Sequence, residues 1–356
     1  MVPRGTGGVK PGWSSNRSDD HGTRAPHPTN QSGFDVVKII ATRLLATVPV
    51  LLAVSFLTYV MLDLLPGDPV LTLLGPEGVS TEAIAAVRED LRLDDPLPLR
   101  YLSWLGDAIT GDLGRSYQTR QEVSDAIGER LPVTLEIATV AMLMSLAVAI
   151  PVGVLSAYRA GTGLDKGVTT ATFGLLAVPN FMMALLLIYI LAVRYRLFPA
   201  TGWTSLSEGP IDNLRTVFMP ALALAISSMA VLTRLLRSDM ISVLQEDHVL
   251  MARSKGLPTW RILFRHVLRP SSFSLLTVGG LQVGNLLGGS VIVEEIFALP
   301  GIGRLLLTAI LQRDVLIVQG VILLIAVIYV VVNLIVDLLY EFLDPRIRYG
   351  ASRASA

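Results

Sequence analysis

The chain has 356 residues, 52% of them hydrophobic and 16% charged, with 29 basic and 29 acidic side chains and no cysteine. Its mean hydropathy of +0.58 places it among integral membrane proteins rather than soluble globular ones. Formal neutrality argues against a nucleic-acid partner, and the lack of cysteine excludes disulfides, thiolate metal sites and thiol nucleophiles.

Residues 1–33 are rich in Gly, Ser, Pro, Asn and charge, without apolar periodicity, and read as a disordered tail ending near residue 35. Residues 2–5 (VPRG) look like part of a protease-cleavage linker. Six runs then carry no Asp, Glu, Lys or Arg: 44–62, 137–158, 167–193, 216–233, 270–293 and 315–336. At 18 to 27 residues, each suits a hydrocarbon core that needs roughly 20 helical residues. Pro49, Pro151, Pro179 and Pro220 lie inside them, which a bundle tolerates because neighbours re-satisfy the freed backbone groups.

Lys and Arg set the orientation. The loop 234–269 holds seven basic and three acidic residues, and Lys38, Arg43, Arg159, Lys166, Arg346 and Arg348 flank other spans on the same side. That side is predicted to be cytoplasmic. The connection 66–131, with six basic and twelve acidic residues, suits the outside, where Arg194 and Arg196 are exceptions. The predicted architecture is all-α, with six transmembrane helices and both termini inside. It comprises a first helix (36–65), a helical extracytoplasmic insertion (66–129), a five-helix core (130–341) and a cytoplasmic tail (342–356).

Within the insertion, Ser80 can cap a helix running through Ile84, Val87 and Leu91. A second helix is predicted after Pro98, with Leu102, Leu105 and Ile109 on one side, and Gly111 and Gly114 in GDLGRSY mark a turn. A small cap packed on the bundle and a docking surface for an extracellular partner both fit this pattern.

The inner loop resolves into two short helices. Asp247 can cap the first, and Gly256 can end it in a left-handed conformation. Pro258 is tolerated in the opening turn of the second, where Trp260, Leu263, Phe264, Val267 and Leu268 form an apolar stripe and Arg261, Arg265 and Arg269 a basic one. A lipid-binding interfacial helix, a calmodulin-type target and a rigid coupling element for a soluble motor all match such a basic amphipathic helix.

In the fifth run, Gly280, Gly284 and Gly288 form a small-residue row that lets a helix of this chain or of a partner approach closely. Gln282 and Asn285, with Asn180 of the third run, are uncharged polar groups that must face protein or water, either in a pathway or in helix-to-helix hydrogen bonds. Glu294 and Glu295 precede ALPGIG, where Pro300, Gly301 and Gly303 interrupt the helix. A secondary carrier or channel with a lipid-binding inner helix is the rival class, although the charge-free spans lack the embedded acids of ion-coupled carriers. The four histidines lie in the tail and inner loop without HExxH spacing, so no metal is expected.

The segment 247–270 resembles the EAA loop of permease subunits in ATP-binding-cassette importers, whose form is E-A-A, three residues, G, nine residues, I-x-L-P. Ala252 stands at the second Ala and Gly256 at the Gly, while Leu250 and Met251 replace the Glu and first Ala. His266 occupies the Ile position, Leu268 the Leu, and the proline comes one place late at Pro270. These departures fit the dipeptide/oligopeptide branch, similar to ARAKGL and RHVLRN, against ARSKGL at 252–257 and RHVLRP at 265–270 here. LLPGDP at 64–69, GDLGRSY at 111–117, RLPVTLEIA at 130–138, EEIFALPGIGRL at 294–305 and DPRIRY at 344–349 resemble the same branch in the same order.

The resemblance implies a type I importer in a prokaryotic cell membrane, formed by a heterodimer of two permeases, two ATPases and an extracytoplasmic substrate-binding protein. ATP and Mg would be bound by the ATPases, with no cofactor on this chain, which has no GxxxxGK[ST] loop. It further implies ATPase coupling through Ala252, Lys255, Gly256, Leu257, Arg265 and His266. An extracytoplasmic gate or docking segment would hold Glu294, Glu295, Pro300, Gly301 and Gly303. Dipeptides or oligopeptides are the implied substrates, with nickel chelates, glutathione or sugars carried by related permeases.

Overall fold

The computed structural model describes residues 32–61, 63–64, 70–71 and 80–343. The tail through residue 31, most of LLPGDP, the DPRIRY segment and the last residues lie outside the described part. The chain divides into two compact units, Met1–Thr42 and Arg43–Ala356, and the described part of the first is the opening of α1 (Ser32–Val60). All that follows concerns the second unit.

After α1 come two short helices, α2 (Thr81–Asp90) and α3 (Leu97–Thr110), then the long α4 (Val123–Tyr158). A bent pair follows, α5 (Gly163–Leu176) and α6 (Asn180–Arg194), before α7 (Pro210–Leu244), α8 (Asp247–Ser254) and α9 (Thr259–Ile296). The chain closes with α10 (Ile302–Gln312) and α11 (Val315–Leu343). Among the described residues the extended pairing is a lone antiparallel bridge, Arg115 to Glu122. Among the described residues, four helices (α4, α7, α9 and α11) are long and apolar enough to cross a membrane, and α5 with α6 make a fifth if counted as one span. The fully described part of α1, Leu45–Val60, is apolar as well.

The run 167–193 is not the straight helix its composition predicts. It breaks at Val178 and Pro179 and turns through 99°. Proline lacks the N–H for the helix ladder and pushes its predecessor out of the helical region, so α6 starts afresh behind Pro179 at ψ 147°. Pro132, Pro151 and Pro220, by contrast, sit within continuous helices.

The centre of the bundle is the seam between α4 and α7, the most extensive helix contact. Small residues are buried on both helices: Ala138, Ala141 and Ala149 in α4 and Ala221, Ala223 and Ala225 in α7. Lipid tails are as apolar as leucine, so such a seam is held by close packing and interhelical hydrogen bonds rather than by hydrophobic transfer. One such bond joins Ser145 Oγ to the Ala225 carbonyl at 3.1 Å. The helices α9 and α11 meet where Gly280 lies under Val336 and Gly284 under Tyr329.

Ser80 accepts from the Ala83 N–H at 3.2 Å and caps α2, and Val87 is buried in its small core. In α3 the expected Leu102 and Ile109 face is exposed instead. The packed side carries Arg100, Tyr101 and Trp104, which meet Phe56 and Tyr59 of α1 at ring distances of 5.2 Å (Phe56–Tyr101) and 5.3 Å (Tyr59–Trp104). Aromatic edges offer more contact than leucine tips, and Arg100 is anchored to Asp63 at 2.5 Å. Gly111 and Gly114 take φ of +97° and +83° in the turn that follows. That turn delivers Ser116 to Asp314 ahead of α11, and Tyr117 to Asp90. Burial, then the Asp90 bond, pushes the Tyr117 hydroxyl pKa upward.

At the opposite end of α4, Asp165 is buried and accepts four hydrogen bonds. Arg237 Nε and Nη2 donate at 2.5 and 2.8 Å, Ser156 Oγ at 2.6 Å and the Gly161 N–H at 2.8 Å, tying α4, α5 and α7 together. Removing one partner of a buried pair leaves the other charge uncompensated. Asp165→Ala should therefore destabilise the detergent-solubilised protein by about 3 kcal/mol, seen as a lowered thermal midpoint. Asp165→Asn, which keeps one acceptor oxygen for the Gly161 N–H, should cost less.

Candidate functional site: a polar cavity and two helix breaks

The bend between α5 and α6 leaves a notch against α7 and α9, a cavity of about 340 Å³. Asn180 enters from the first turn of α6, Ser227 and Ser228 from α7, and Gln282 and Asn285 from α9. Gln282 is buried and donates from Nε2 to Ser228 Oγ at 3.2 Å, while its Oε1 accepts from Asn285 Nδ2 at 2.7 Å. Gly289 makes room for Asn180, because a Cβ there would stand 3.1 Å from the amide nitrogen. The three amides singled out in the sequence thus share one cavity, and Ser228, which the sequence did not flag, orients Gln282. The lining offers amide and hydroxyl donors and acceptors without a fixed charge.

Gly280, Gly284 and Gly288 do not act as one row. The first two approach α11 within side-chain contact, but nothing lies within 4 Å of a Cβ built on Gly288.

The second feature is the turn between α9 and α10. The end of α9 is closed by Leu299 N–H to the Glu294 carbonyl at 2.8 Å and Ala298 N–H to the Glu295 carbonyl at 3.1 Å. This is a Schellman arrangement with Ala298 at φ +56°, a conformation that costs a non-glycine residue roughly 1–2 kcal/mol. Burial of Phe297 and Leu299 on either side holds it. The Glu294 side chain, itself fully buried, then closes the start of α10. Its Oε2 accepts from the Arg304 N–H at 3.0 Å and its Oε1 from Thr134 Oγ1 at 2.8 Å, and Thr134 in turn accepts from the Ile302 N–H at 2.8 Å. A carboxylate at a helix N-terminus also meets the favourable end of the helix dipole. Gly301 and Gly303 are needed here, since a Cβ on Gly301 would lie 2.3 Å from Glu294 Oε2 and one on Gly303 2.5 Å from Val291 Cα. Pro300 is exposed, and Glu295 makes a surface pair with Arg304 at 3.3 Å.

The third feature is the α8–α9 break. Asp247 is the first helical residue rather than the cap; Glu246 holds that position without a side-chain cap bond. Gly256, at φ +74°, ends α8 with Leu257 N–H to the Ala252 carbonyl at 3.3 Å and its own N–H to the Arg253 carbonyl at 2.9 Å. Pro258 sits before the first turn of α9, outside it. The next turn widens to a π-helix over Ile262–Val267, which shifts the phase of the expected stripe. Ile262, Leu263 and Val267 are buried, whereas Trp260 and Phe264 are 62% and 54% exposed. Ala252 is buried against that group, His248 Nε2 meets the His266 carbonyl at 3.2 Å, and Lys255 and Arg265 point outward. Leu257 and His266 are half-buried.

Residues 149–349 match the family described as binding-protein-dependent transport system inner membrane component, and residues 36–138 match the N-terminal family of such membrane components. The chain is similar to the oligopeptide transport system permease protein AppB of Bacillus subtilis, with 39% identity over 313 residues, 87% of this chain and 99% of AppB. It is similar to the dipeptide transport system permease protein DppB of Escherichia coli, with 35% identity over 337 residues, 88% and 99% of the two chains. A Brucella abortus permease protein provisionally named for a peptide transport system is 40% identical over 311 residues, 87% and 99% of the two chains.

The Glu294 hydrogen bonds yield a specific expectation. Glu294→Gln either turns its N–H₂ toward the Arg304 N–H or takes the acceptor from the Thr134 hydroxyl, and should lower stability by about 1–3 kcal/mol. It should also raise protease cleavage in the 297–304 turn, both measured in detergent.

Proposed function

Because the chain belongs to the family of binding-protein-dependent transport system inner membrane components, we propose that it is the peptide-carrying permease subunit of an ATP-driven importer in a prokaryotic cell membrane. In this reading α1 completes a set of six spans with both termini in the cytoplasm, and α2 and α3 belong to the extracytoplasmic insertion. A second permease completes the pathway, two ATPases bind ATP and Mg, and a binding protein delivers substrate outside. Peptides are the favoured substrate because AppB and DppB are named for oligopeptide and dipeptide transport. The uncharged amides around Asn180, Gln282 and Asn285 offer the donors and acceptors that peptide groups require, without a fixed charge that would trap them.

The observation that carries the reading is the surface around Gly256. Leu250, Met251, Trp260 and Phe264 expose apolar side chains beside Lys255, Arg261 and Arg265, while Val249, Ala252, Ile262 and Leu263 bury the reverse side in the bundle. An apolar and cationic knob backed by packed helix transmits a push instead of yielding to it. When the ATPase dimer closes, the α8–α9 knob would move as a body and take α7 and α9, two walls of the cavity, with it. The permease then alternates between inward-open and outward-open states whose balance follows the partner's nucleotide. The turn fastened by Glu294 would form the outer gate or docking segment, with Glu295 and Pro300 presented outward and Gly301 and Gly303 packed beneath.

Coupling and folding separate at Gly256. Nothing lies within 4 Å of a Cβ built there, so Gly256→Asp costs the fold only the roughly 1–2 kcal/mol of a left-handed side chain. Membrane insertion should be unchanged, while ATP hydrolysis by the co-purified complex should lose its dependence on substrate and peptide uptake should fall to background. Uptake at the normal rate would remove the coupling role.

A further inference from the structure

The packed side of α3 meets α1 well below the end of that helix. The Tyr101 hydroxyl donates to the Leu52 carbonyl at 3.3 Å and lies 2.7 Å from Ser55 Oγ, while the Tyr101 and Trp104 rings face Phe56 and Tyr59. These α1 partners, Leu52 to Tyr59, cover about two helical turns. At a rise of about 1.5 Å per residue, Leu52 lies about 12 Å back from Val60, the last residue of α1. A hydrocarbon core is roughly 30 Å thick, so each half measures about 15 Å. A helix fastened to α1 over that stretch lies beside it, within the depth that α1 crosses, and not above its end.

The side of α3 left exposed carries an apolar stripe. Leu99, Leu102 and Ile109 are 61%, 61% and 79% exposed, and with Gly106 they follow at i, i+3, i+7 and i+10. Ser103, Asp107 and Thr110 form the neighbouring polar edge. On the packed side, the charge of Arg100 is neutralised by Asp63. Tyr59, Tyr101 and Trp104 gather where the two helices meet, and Tyr and Trp are the side chains that concentrate at a membrane–water boundary. Leu52 and Phe56, beside Tyr101, are themselves 43% and 41% exposed, so both helices present apolar surface at their contact.

We propose that α3 lies in the membrane as an amphipathic helix at the level of the outer leaflet, with Leu99, Leu102 and Ile109 against lipid acyl chains and Asp107 at the headgroup edge. Lipid is the occupant of this stripe, rather than a soluble extracellular partner, because the contacts with Leu52 and Ser55 hold α3 below the end of α1. The proposal rests on the reading that α1 crosses the membrane.

The chain has no cysteine, so single introduced cysteines can carry a nitroxide without a competing thiol. With the full-length chain in phosphatidylethanolamine–phosphatidylglycerol nanodiscs, electron paramagnetic resonance compares collisions with oxygen, which partitions into acyl chains, and with water-soluble chromium oxalate. Leu57→Cys, at a 69% exposed position of α1, tests the span itself, and Asp94→Cys, ahead of α3, marks water. Labels on Leu102→Cys and Ile109→Cys should favour oxygen as the Leu57→Cys label does, with the reverse preference at Asp94→Cys. All four side chains are exposed, so their replacement opens no cavity in the core. A chromium preference at Leu102→Cys and Ile109→Cys, with Leu57→Cys still favouring oxygen, would overturn the proposal and leave α1 in the membrane. A chromium preference at all four sites would overturn both. Shielding of the α3 labels from both reagents would mean that protein, such as a second copy of this chain, covers the stripe, and would also overturn the proposal.

Discussion

Every interruption of a helix in this bundle must pass its freed backbone N–H and C=O groups to another partner wherever they are packed away from water. The turn between α9 and α10 shows how much structure that demands. Two backbone bonds close one helix, Glu294 and Thr134 close the next, and two glycines clear the space the carboxylate occupies. The break at Gly256 is closed by backbone alone, in a left-handed cap that leaves the outer surface of the knob free. The break at Pro179 requires no donor at the proline itself, and the space it opens becomes the amide-lined cavity.

The same constraint separates rigid parts from those that can shift. α4 and α7 pack along an extensive seam, with alanines buried on both helices, and are pinned at one end by the Asp165–Arg237 pair. The amides of the cavity are joined by single hydrogen bonds that a ligand can replace at little net cost, since each exchanges one neutral partner for another. A scaffold held by close packing and a charged clasp, around a site held by exchangeable bonds, is compatible with a substrate path that must bind and release.

Local sequence rules were informative wherever a feature depends on neighbours along the chain. Ser80 as a cap and Gly256 as a helix stop follow from side-chain reach and backbone sterics, which involve only a few residues. The same rules failed where phase or packing intervened. A π turn at Ile262–Val267 moved Trp260 and Phe264 off the buried side, and α3 packs through Arg100, Tyr101 and Trp104 rather than its leucines. Periodicity assumes a uniform helix and a known partner, and neither condition held.

By itself the sequence determined the membrane class, the positions of most apolar helices and the order of motifs shared with peptide permeases, because these depend on composition and local spacing. Only the tertiary structure decided that the third apolar run folds back on itself. Only it showed that Glu294 answers Thr134 across 160 positions and Asp165 answers Arg237 across 72. Such pairings are set by which helices lie side by side. That depends on the packing of the whole bundle, and no window of sequence contains it.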